Sequence, residues 1–568
     1  MALVALLAGC TGNASPRSRA QRIGKLEETI GGPHAIGRVG DFILENDQVR
    51  FIIADTGRCP PDNTGSNCKE VYGRVNTTYG GTLVDADLVR VQGDGKGNDQ
   101  LAELLPGFFF TAIDPTDVKV TADGSDGNAA EVTVSGTGGD LFQMTNILNT
   151  ALLSPATLHF EQKYKLEPGK RYVTIETTIK NTAPGQHPFP FLDPTQLNGL
   201  LGQYIPDIGT IQLSVPFGQL PLFGGEQTIF TPGVAGFNVR FAIEDSYKTA
   251  GGFPSFPGMV VDYVATKGHG VSYGLAIPDS PDNYVNNYKA GYAGQDITKY
   301  SMLLPFTYAG VTGAYQYRAP ALLGPNEQKT YTSYFIVGRG DVGSIYDTIL
   351  ELRSAATGTF GGRVVDELTQ APIANANVIV MKDSKIIDQL DTDDRGSFLG
   401  KLEAGTYQYV VVRDDRERTE PQPITIATGT QTGVLVQMAP PATIAVSVVD
   451  ELGRHAPVKI QLLGHDARIK TVDGRGILYS LQLGEGVRPT AFDGTDRYIE
   501  HAWWTNDGRL VANVRPGTYE LVVSRGPEYE ITSEQVTLTA GSYVGKQLTL
   551  IRSFDTPGWV AGDFHIHA

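Results

Sequence analysis

The sequence predicts an all-β protein, with a large two-sheet supersandwich followed by two small sandwiches of the immunoglobulin or transthyretin type. The chain has 568 residues, more than one hydrophobic core accommodates, so several domains are expected. Glycine (67 residues) and proline (33) are frequent, and valine, isoleucine, threonine and tyrosine recur in short alternating runs. This pattern is typical of many short strands joined by tight turns.

The charge of the chain argues against one class of partner. Lysine and arginine total 46 and aspartate and glutamate 62, which gives a net charge of −16. Such an acidic surface repels phosphate backbones, so we expect no nucleic-acid partner. No apolar run reaches the roughly eighteen residues that a membrane-spanning helix needs.

The N-terminus predicts export. Residues 1–7 are almost wholly apolar, and the sequence Leu-Ala-Gly-Cys ends at Cys10. It resembles the lipobox of bacterial lipoproteins, although no lysine or arginine precedes the apolar run. The resemblance implies that residues 1–23 are a signal and tether, and that Cys10 carries a lipid anchoring the protein to a membrane. We therefore expect an outer-membrane lipoprotein or a periplasmic or extracellular location; the alternative is a disordered tail with a chance match.

The other two cysteines predict a disulfide. Cys59 and Cys68 flank a loop rich in proline, asparagine and glycine. A disulfide closing such a loop suits an oxidising compartment and contributes about 2.5–3 kcal/mol in the chain-entropy model. A metal site would need more ligands than these two thiols.

Residues 24–355 are predicted to form the large sandwich. Residues 42–53 are typical of a hairpin with an Asn-Asp turn, and residues 164–179 alternate between apolar and polar side chains around a Pro-Gly turn. The second hairpin resembles the strand pairs of galactose-mutarotase-like supersandwich domains. A carbohydrate or a protein is a candidate ligand of this sandwich. The sequence shows no histidine and carboxylate pair for a mutarotase reaction.

A short helix is predicted at residues 341–355, after the last strand of this domain. Ile345, Ile349 and Leu352 fall on one helical face, and Asp341 is placed to cap the first turn. This helix is expected to close the large domain and to lead into a hinge.

The chain then repeats itself. Residues 364–368 recur as 448–452, and the Gly-Thr-Tyr motif at 405–407 recurs at 517–519. The first pair lies 84 positions apart and the second 112, so the second copy carries an insertion of 28 residues. Such a repeat predicts two related small domains.

The first copy, residues 356–439, resembles carboxypeptidase regulatory-like domains. The resemblance rests on an opening strand at 361–366, an acidic turn at 391–398 and a turn into the next strand at 402–407. It implies a small seven-stranded sandwich that serves as a non-catalytic spacer or docking module. The second copy is assigned to residues 440–553.

The acidic turn has a second interpretation. Asp391, Asp393 and Asp394 cluster as in a calcium loop, but the distal bidentate glutamate of an EF-hand is missing. A tight turn also requires aspartate and glycine, so the structural interpretation is favoured.

The strongest chemical motif lies at residues 559–567. It reads Trp-x-x-Gly-Asp-x-His-x-His and places His565 and His567 on the same side of a strand, where both imidazoles can bind one metal ion. The motif resembles the first strand of the PHP (polymerase and histidinol phosphatase) superfamily, especially its carbaryl-hydrolase-like members. The resemblance implies zinc, manganese or iron ions that activate water against a phosphoester. Amidohydrolases and a simple polar tail are the alternatives.

Residues 554–568 therefore predict the first strand of a metallohydrolase barrel whose remainder does not lie in this chain. We expect no catalytic residue and no tightly bound metal in these 568 residues, because a catalytic metal needs at least three protein ligands. The predicted function is a sandwich array that presents the hydrolase. The alternative is a cell-surface glycan-binding or adhesion module with an incidental terminal His-x-His. Its sugar site would be lined by Trp503 and Trp504 or by Tyr284, Tyr288 and Tyr292, although aromatic residues at these spacings more often fill cores.

Overall fold

The computed structural model is nearly all β, which confirms the predicted fold class. It describes residues 17–57, 77, 80–90, 97–108, 111–140, 158–182, 184, 187–188, 217–224, 227–230, 232, 263–278, 302–308, 311–317, 322–323, 325–383, 385–464 and 498–558. The chain divides into two compact units, the first comprising Met1–Thr231 and Val239–Arg353 and the second Pro232–Asn238 and Ser354–Ala568. In this part of the chain, no helix has the length and apolar character that crossing a membrane requires.

The first unit contains eighteen described strands and one α-helix. The first nine strands are β1 (Arg19–Arg22), β2 (Phe42–Glu45), β3 (Val49–Ile53), β4 (Leu83–Leu88), β5 (Leu101–Phe108), β6 (Thr111–Ala122), β7 (Ala130–Asp140), β8 (Leu158–Leu166) and β9 (Tyr172–Asn181). The others are β10 (His187–Pro188), β11 (Phe217–Phe223), β12 (Thr228–Phe230), β13 (Tyr263–Lys267), β14 (Ser272–Ala276), β15 (Met302–Tyr308), β16 (Val311–Tyr317), β17 (Leu322–Leu323), β18 (Gln328–Gly338) and helix α1 (Gly343–Leu352). A 3-10 turn covers Leu26–Glu28.

The two layers of the large sandwich belong to one hydrogen-bonded sheet. Strands β1 to β9 follow one another in order, β18, β14, β13 and β12 continue the sheet, and β11 pairs with β5, which makes fourteen strands. Phe51 of β3, Val132 of β7, Tyr273 of β14 and Phe335 of β18 nevertheless share one hydrophobic core. The sheet therefore folds over on itself, and its two halves face each other across that core.

Both predicted hairpins of this unit are present, and one asparagine joins them. Asn46 lies in the turn between β2 and β3, and its Oδ1 accepts hydrogen bonds from the N–H groups of Gln48 (2.8 Å) and Val49 (2.9 Å). Its Nδ2 donates to the carbonyl oxygens of Glu167 and Lys170, on either side of the Pro-Gly turn between β8 and β9. Asn46 thus fixes two turns that are far apart in sequence.

Helix α1 is shorter than predicted, but its cap is present. Asp341 lies two residues before the first helical residue, Gly343. Its Oδ1 accepts a hydrogen bond from the Ser344 N–H at 3.1 Å. Ile345 and Ile349 are buried. Arg353 donates its N–H to the Ile349 carbonyl, and the helix ends there.

The second unit consists of two sandwiches with the same topology. The first contains β19 (Thr357–Asp366), β20 (Asn377–Lys382), β21 (Lys385–Asp391), β22 (Ser397–Glu403), β23 (Gly405–Val412), β24 (Gln422–Ile426) and β25 (Gln431–Met438). The second contains β26 (Ala442–Asp450), β27 (Val458–Gly464), β28 (Tyr498–Thr505), β29 (Arg509–Val514), β30 (Gly517–Ser524), β31 (Thr532–Leu538) and β32 (Tyr543–Leu550).

The pairing of these strands confirms the internal repeat. The first copy has sheets β22-β19-β25 and β21-β20-β23-β24, and the second has β29-β26-β32 and β28-β27-β30-β31. In each copy the first and last strands run parallel, with Val365 opposite Gln437 and Val449 opposite Thr549. The long connection that distinguishes the second copy runs between Gly464 and Tyr498, outside the described residues.

The repeated Gly-Thr-Tyr motif has a structural cause. The hydroxyl groups of Tyr407 and Tyr519 each donate a hydrogen bond of 2.8 Å to the carbonyl oxygen four residues earlier, at Glu403 and Arg515. A Cβ at Gly517 would lie only 2.9 Å from the Tyr519 hydroxyl oxygen, so glycine leaves room for the ring. The motif is therefore a corner that ties the turn to the following strand.

Replacing Tyr519 by phenylalanine is expected to lower the free energy of unfolding of the second unit by about 1–2 kcal/mol, because the buried Arg515 carbonyl loses its partner. Urea unfolding of the whole protein measures this loss. Tyr543→Phe is the matched control, since its ring is 69% exposed. Equal midpoints for both variants would contradict the corner's role.

Candidate functional site

The site residues predicted from sequence lie outside the described part of the chain. These are the lipidation site Cys10, the cysteine pair Cys59 and Cys68, and the metal ligands His565 and His567. Each remains a prediction. Within the described ranges, no group of three or more histidine, cysteine or acidic side chains is arranged to hold a metal ion.

The structure buries acidic side chains that the sequence analysis missed. Five carboxyl groups of the large sandwich are buried, and we refer to them as the acidic cluster. They are Asp41, Asp85, Asp87, Asp99 and Glu103. Strand β4 supplies two of them, strand β5 supplies Glu103, and the others immediately precede β2 and β5.

Two members of the acidic cluster fasten the segment that precedes β2. Asp85 accepts hydrogen bonds from the N–H groups of Ile36 (2.8 Å) and Gly37 (3.0 Å). Asp41 accepts one from the Arg38 N–H at 2.9 Å. A buried carboxylate that accepts several backbone N–H groups replaces the ladder bonds that an irregular segment cannot form.

Asp99 is the most enclosed member of the acidic cluster. Its Oδ1 accepts hydrogen bonds from the N–H groups of Ala86 (2.8 Å) and Leu101 (3.3 Å) and lies 3.3 Å from the Tyr273 hydroxyl oxygen. Its Oδ2 is buried and has no hydrogen-bond partner among the described residues. Burial, followed by the charge of Asp85, raises the pKa of Asp99 far above its ordinary value.

The other members of the cluster differ in their partners. Asp87 pairs with Arg90 at 2.7 Å and accepts the Asn98 N–H at 2.6 Å. Glu103 has a neutral partner, the Thr82 hydroxyl at 2.7 Å, and burial raises the pKa of Glu103 to about 7. Burial also raises the pKa values of Asp41 and Asp85. Burial therefore favours the neutral form of Asp41, Asp85, Asp99 and Glu103.

A protonated carboxyl group can act as a general acid, but it must reach a substrate. Asp85 and Asp99 are fully buried, and Asp87 is 1% exposed. A concave pocket of about 370 Å³ lies nearby, yet none of its lining residues belongs to the acidic cluster. The arrangement fits the attachment of loops to the sheet better than catalysis.

The pocket is itself shaped by close backbone packing. It is lined by Leu26, Glu27, Thr29, Ile30, Gly31, Gly32, Pro33 and Gly97. A Cβ at Gly32 would lie 2.2 Å from the Asp99 backbone nitrogen, and Gly32 has φ +140°. Glycine is therefore required where this loop crosses the start of β5.

The acidic turn of the first small sandwich has the hydrogen bonds of a structural turn. Asp393 Oδ1 accepts the N–H groups of Arg395 (2.9 Å) and Ser397 (2.8 Å), and Gly396 follows with φ +70°. Asp391 accepts a hydrogen bond from the Gln389 side chain. These contacts account for Asp391 and Asp393 without a bound ion.

One family model matches part of the chain. Residues 359–439 match the carboxypeptidase regulatory-like domain, which confirms the resemblance found in the first small sandwich. No curated protein matches the sequence of the chain.

Several solved structures show weak similarity to this chain. The Bacillus anthracis TIE protein is 9% identical with a TM-score of 0.16, over 77% of this chain and 58% of its own. The shaft pilin SpaA from Lactobacillus rhamnosus GG (12%, TM-score 0.22) and the minor pilin GBS52 of Streptococcus agalactiae (10%, 0.20) are covered completely by 35% and 36% of this chain. TM-scores this low are evidence neither of a common fold nor of a common function.

Proposed function

We propose that this chain is the non-catalytic sandwich array of an exported bacterial lipoprotein, and that it presents a metal-dependent hydrolase of the PHP type. The observation that carries the proposal is the order of modules. A carboxypeptidase regulatory-like domain at 359–439 is followed by its structural duplicate, β26 to β32, and then by the His-x-His motif. The resemblance to this family implies a spacer or docking module rather than an enzyme.

The described carboxyl groups support a structural role for the large domain. Asp85 and Asp41 hold loop N–H groups, and Asp99 holds the start of β5. These acids are committed to the fold of the sandwich. We therefore assign metal binding to His565 and His567, which follow the array.

His565 and His567 fit a divalent metal as part of its ligand set. Two imidazoles on one strand supply two nitrogen ligands, which zinc, manganese and iron all accept. Further ligands are expected from residues that follow in the barrel. When bound, the metal would activate water for attack on a phosphoester or a similar bond, while the two histidines hold it at the start of the barrel.

The proposed export signal would place the array at the cell envelope. The Cys10 lipid is proposed to hold the protein at a membrane of the cell envelope, and the cysteine pair at 59 and 68 suits an oxidising compartment. The sandwiches would then carry the hydrolase away from the lipid surface.

The test compares three proteins in metal-dependent hydrolysis of an aryl phosphodiester. They are the 568-residue chain, the chain extended through the reading frame that follows Ala568, and the extended chain with His565→Ala and His567→Ala. We expect chelator-sensitive turnover only in the second, because only that protein has a complete ligand set. Turnover by the 568-residue chain would contradict the proposal and point to a site within the sandwiches.

One observation favours the alternative of glycan binding. Trp504 on β28 is 73% exposed, and the Lys459 ammonium lies 5.3 Å from its ring centroid, whereas Trp503 packs against the core. An exposed indole can stack on a sugar ring. Retardation of the protein on an immobilised polysaccharide, lost in Trp504→Ala, would support this alternative.

A further inference from the structure

The last strand of the first small sandwich is an edge strand with open backbone groups. Strand β25 pairs with β19 alone among the described strands. The carbonyl oxygens of Thr430 and Met438 accept the N–H groups of Thr359 and Glu367, in and directly after β19. Successive residues of a strand turn their backbone groups to opposite sides, so the even-numbered residues of β25 face β19. The open edge therefore presents the N–H and carbonyl groups of Gln431, Gly433, Leu435 and Gln437.

This edge lacks the features that usually keep sheet edges apart. Charged residues and prolines on an edge strand discourage pairing with another chain. The described edge strands of the two sandwiches are β21, β22, β24, β25, β28, β29, β31 and β32. Each of the others contains a charged residue or a proline, as Lys401 in β22, Pro423 in β24 and Lys546 in β32 illustrate. Strand β25 contains neither.

The open edge of β25 borders a shallow depression on the outer face of its sheet. Gly361 of β19 lies opposite Gly433 of β25 on one side and opposite Leu399 of β22 on the other. A Cβ at Gly361 would lie 2.7 Å from Leu399 Cδ1, whereas a Cβ at Gly433 would have no atom within 4 Å. Leu399 therefore leans over Gly361, and the space above Gly433 is empty. Leu399 and Leu435 border this depression and are 58% and 64% exposed.

The outward residues of β25 are complementary to their own reverse order. Two copies of β25 that run antiparallel about a twofold axis at Val434 place Gly433 of each copy opposite Leu435 of the other. Each Leu435 then occupies the empty space above Gly433, beside Leu399. Gln431 lies opposite Gln437, so no charge is buried, and each facing pair exchanges its N–H and carbonyl groups in hydrogen bonds.

The corresponding edge of the second sandwich lacks this complementarity. Strand β32 runs parallel to β26 as β25 does to β19, and the Thr443 N–H donates to the Ser542 carbonyl. The outward residues of β32 are therefore Tyr543, Gly545, Gln547 and Thr549. The same antiparallel arrangement would set Gly545 against the polar Gln547. The Thr549 carbonyl also already accepts the Thr532 hydroxyl at 3.2 Å.

We propose that this chain forms a homodimer in which β25 pairs antiparallel with β25 of a second copy and joins the two three-stranded sheets edge to edge. Leu435 packed over Gly433 forms the apolar centre of the contact. A second copy is the partner because the uncharged outward row fits its own reverse order. The contact is small, so the dimer is reversible. Each copy has a net charge of −16, so the affinity increases as salt screens the repulsion.

Sedimentation equilibrium of the 568-residue chain tests the dimer from about 1 μM to about 1 mM protein. Leu435→Lys is expected to raise the dissociation constant at least about tenfold, because it places a charge on the open edge. Leu452→Lys is the matched control. Leu452 is 73% exposed in a turn outside the edge strands, so its substitution adds the same charge and should leave the dimer unchanged.

Gly433→Val separates loss of the contact from loss of the fold. The valine side chain occupies the space that Leu435 of the second copy needs, so the dimer should weaken at least about tenfold. Valine is also favoured over glycine in a strand, so the urea unfolding midpoint of the monomer should not fall. A Gly433→Val chain that is folded and still dimerises like the natural protein would contradict the proposed packing.

Hydrogen exchange locates the contact. The amides of Gly433 and Leu435 are expected to exchange at least about tenfold more slowly in concentrated than in dilute protein, because pairing suppresses their exposure. The outward amides of β32 are the internal control and should not change. A dimer that leaves exchange in β25 unaltered, or that persists in Leu435→Lys, lies on another surface and overturns the proposal. A chain that stays monomeric up to about 1 mM overturns it as well.

Discussion

Asp99→Asn is expected to remove much of the pH dependence of stability of the large domain. Burial raises the folded-state pKa of Asp99 above its unfolded value. Its contribution is therefore fully present below the unfolded pKa and is lost as pH rises toward the folded one. Asparagine keeps an oxygen to accept the N–H groups of Ala86 and Leu101 and never ionises.

The measurement is urea unfolding between about pH 5 and about pH 9, where a raised carboxyl pKa acts on stability. The natural protein should lose stability over this interval, and Asp99→Asn should lose less. Asp99→Ala should be destabilised throughout, because it removes the acceptor as well as the charge. Asp117→Asn, at a side chain that is 51% exposed, is the control. Parallel pH profiles for Asp99→Asn and the natural protein would exclude this role.

Arg515→Met is expected to lower the free energy of unfolding of the second small sandwich by about 3–5 kcal/mol, because it leaves a buried charge unpaired. The Arg515 side chain is 2% exposed and that of Glu500 8% exposed. Two bonds of 2.9 Å, from Nε to Oε1 and from Nη2 to Oε2, join them. The pair connects strand β28 to the turn before β30.

The double variant Arg515→Met with Glu500→Met distinguishes the loss of the ion pair from the cost of burying an unpaired charge. Replacing both partners by apolar side chains should recover most of the stability, since no unpaired charge remains. Arg454→Met is the control for a charge that is 71% exposed, and it should melt like the natural protein. A single variant as stable as this control would show that Glu500 reaches water.

Local patterns in the sequence predicted the hairpins, the cap and the repeat. The Asn-Asp and Pro-Gly turns lie where their hairpins were predicted, and Asp341 caps the helix. The repeated motifs correspond to two sandwiches of identical strand order. These features depend on residues that are close in sequence, so composition and spacing are sufficient to find them.

Long-range pairing was not predictable in the same way. Strand β9 pairs with β18, so that Lys180 lies opposite Gln328, and this pairing joins β1 to β9 to the strands that continue the large sheet. The acidic cluster was missed for the same reason. Asp85 and Asp87 alternate within an ordinary strand pattern, and only the fold shows that segments from elsewhere in the chain bury them.

Metal content tests the central claim most directly, namely that the sandwiches are a scaffold and that the metal site begins at His565 and His567. Metal analysis after exhaustive dialysis should find no bound divalent ion in the 568-residue chain and a stoichiometric amount in the extended protein. His565→Ala with His567→Ala should remove that metal from the extended protein. Stoichiometric metal that survives in the 568-residue chain carrying both substitutions would contradict the account and place the site within the sandwiches.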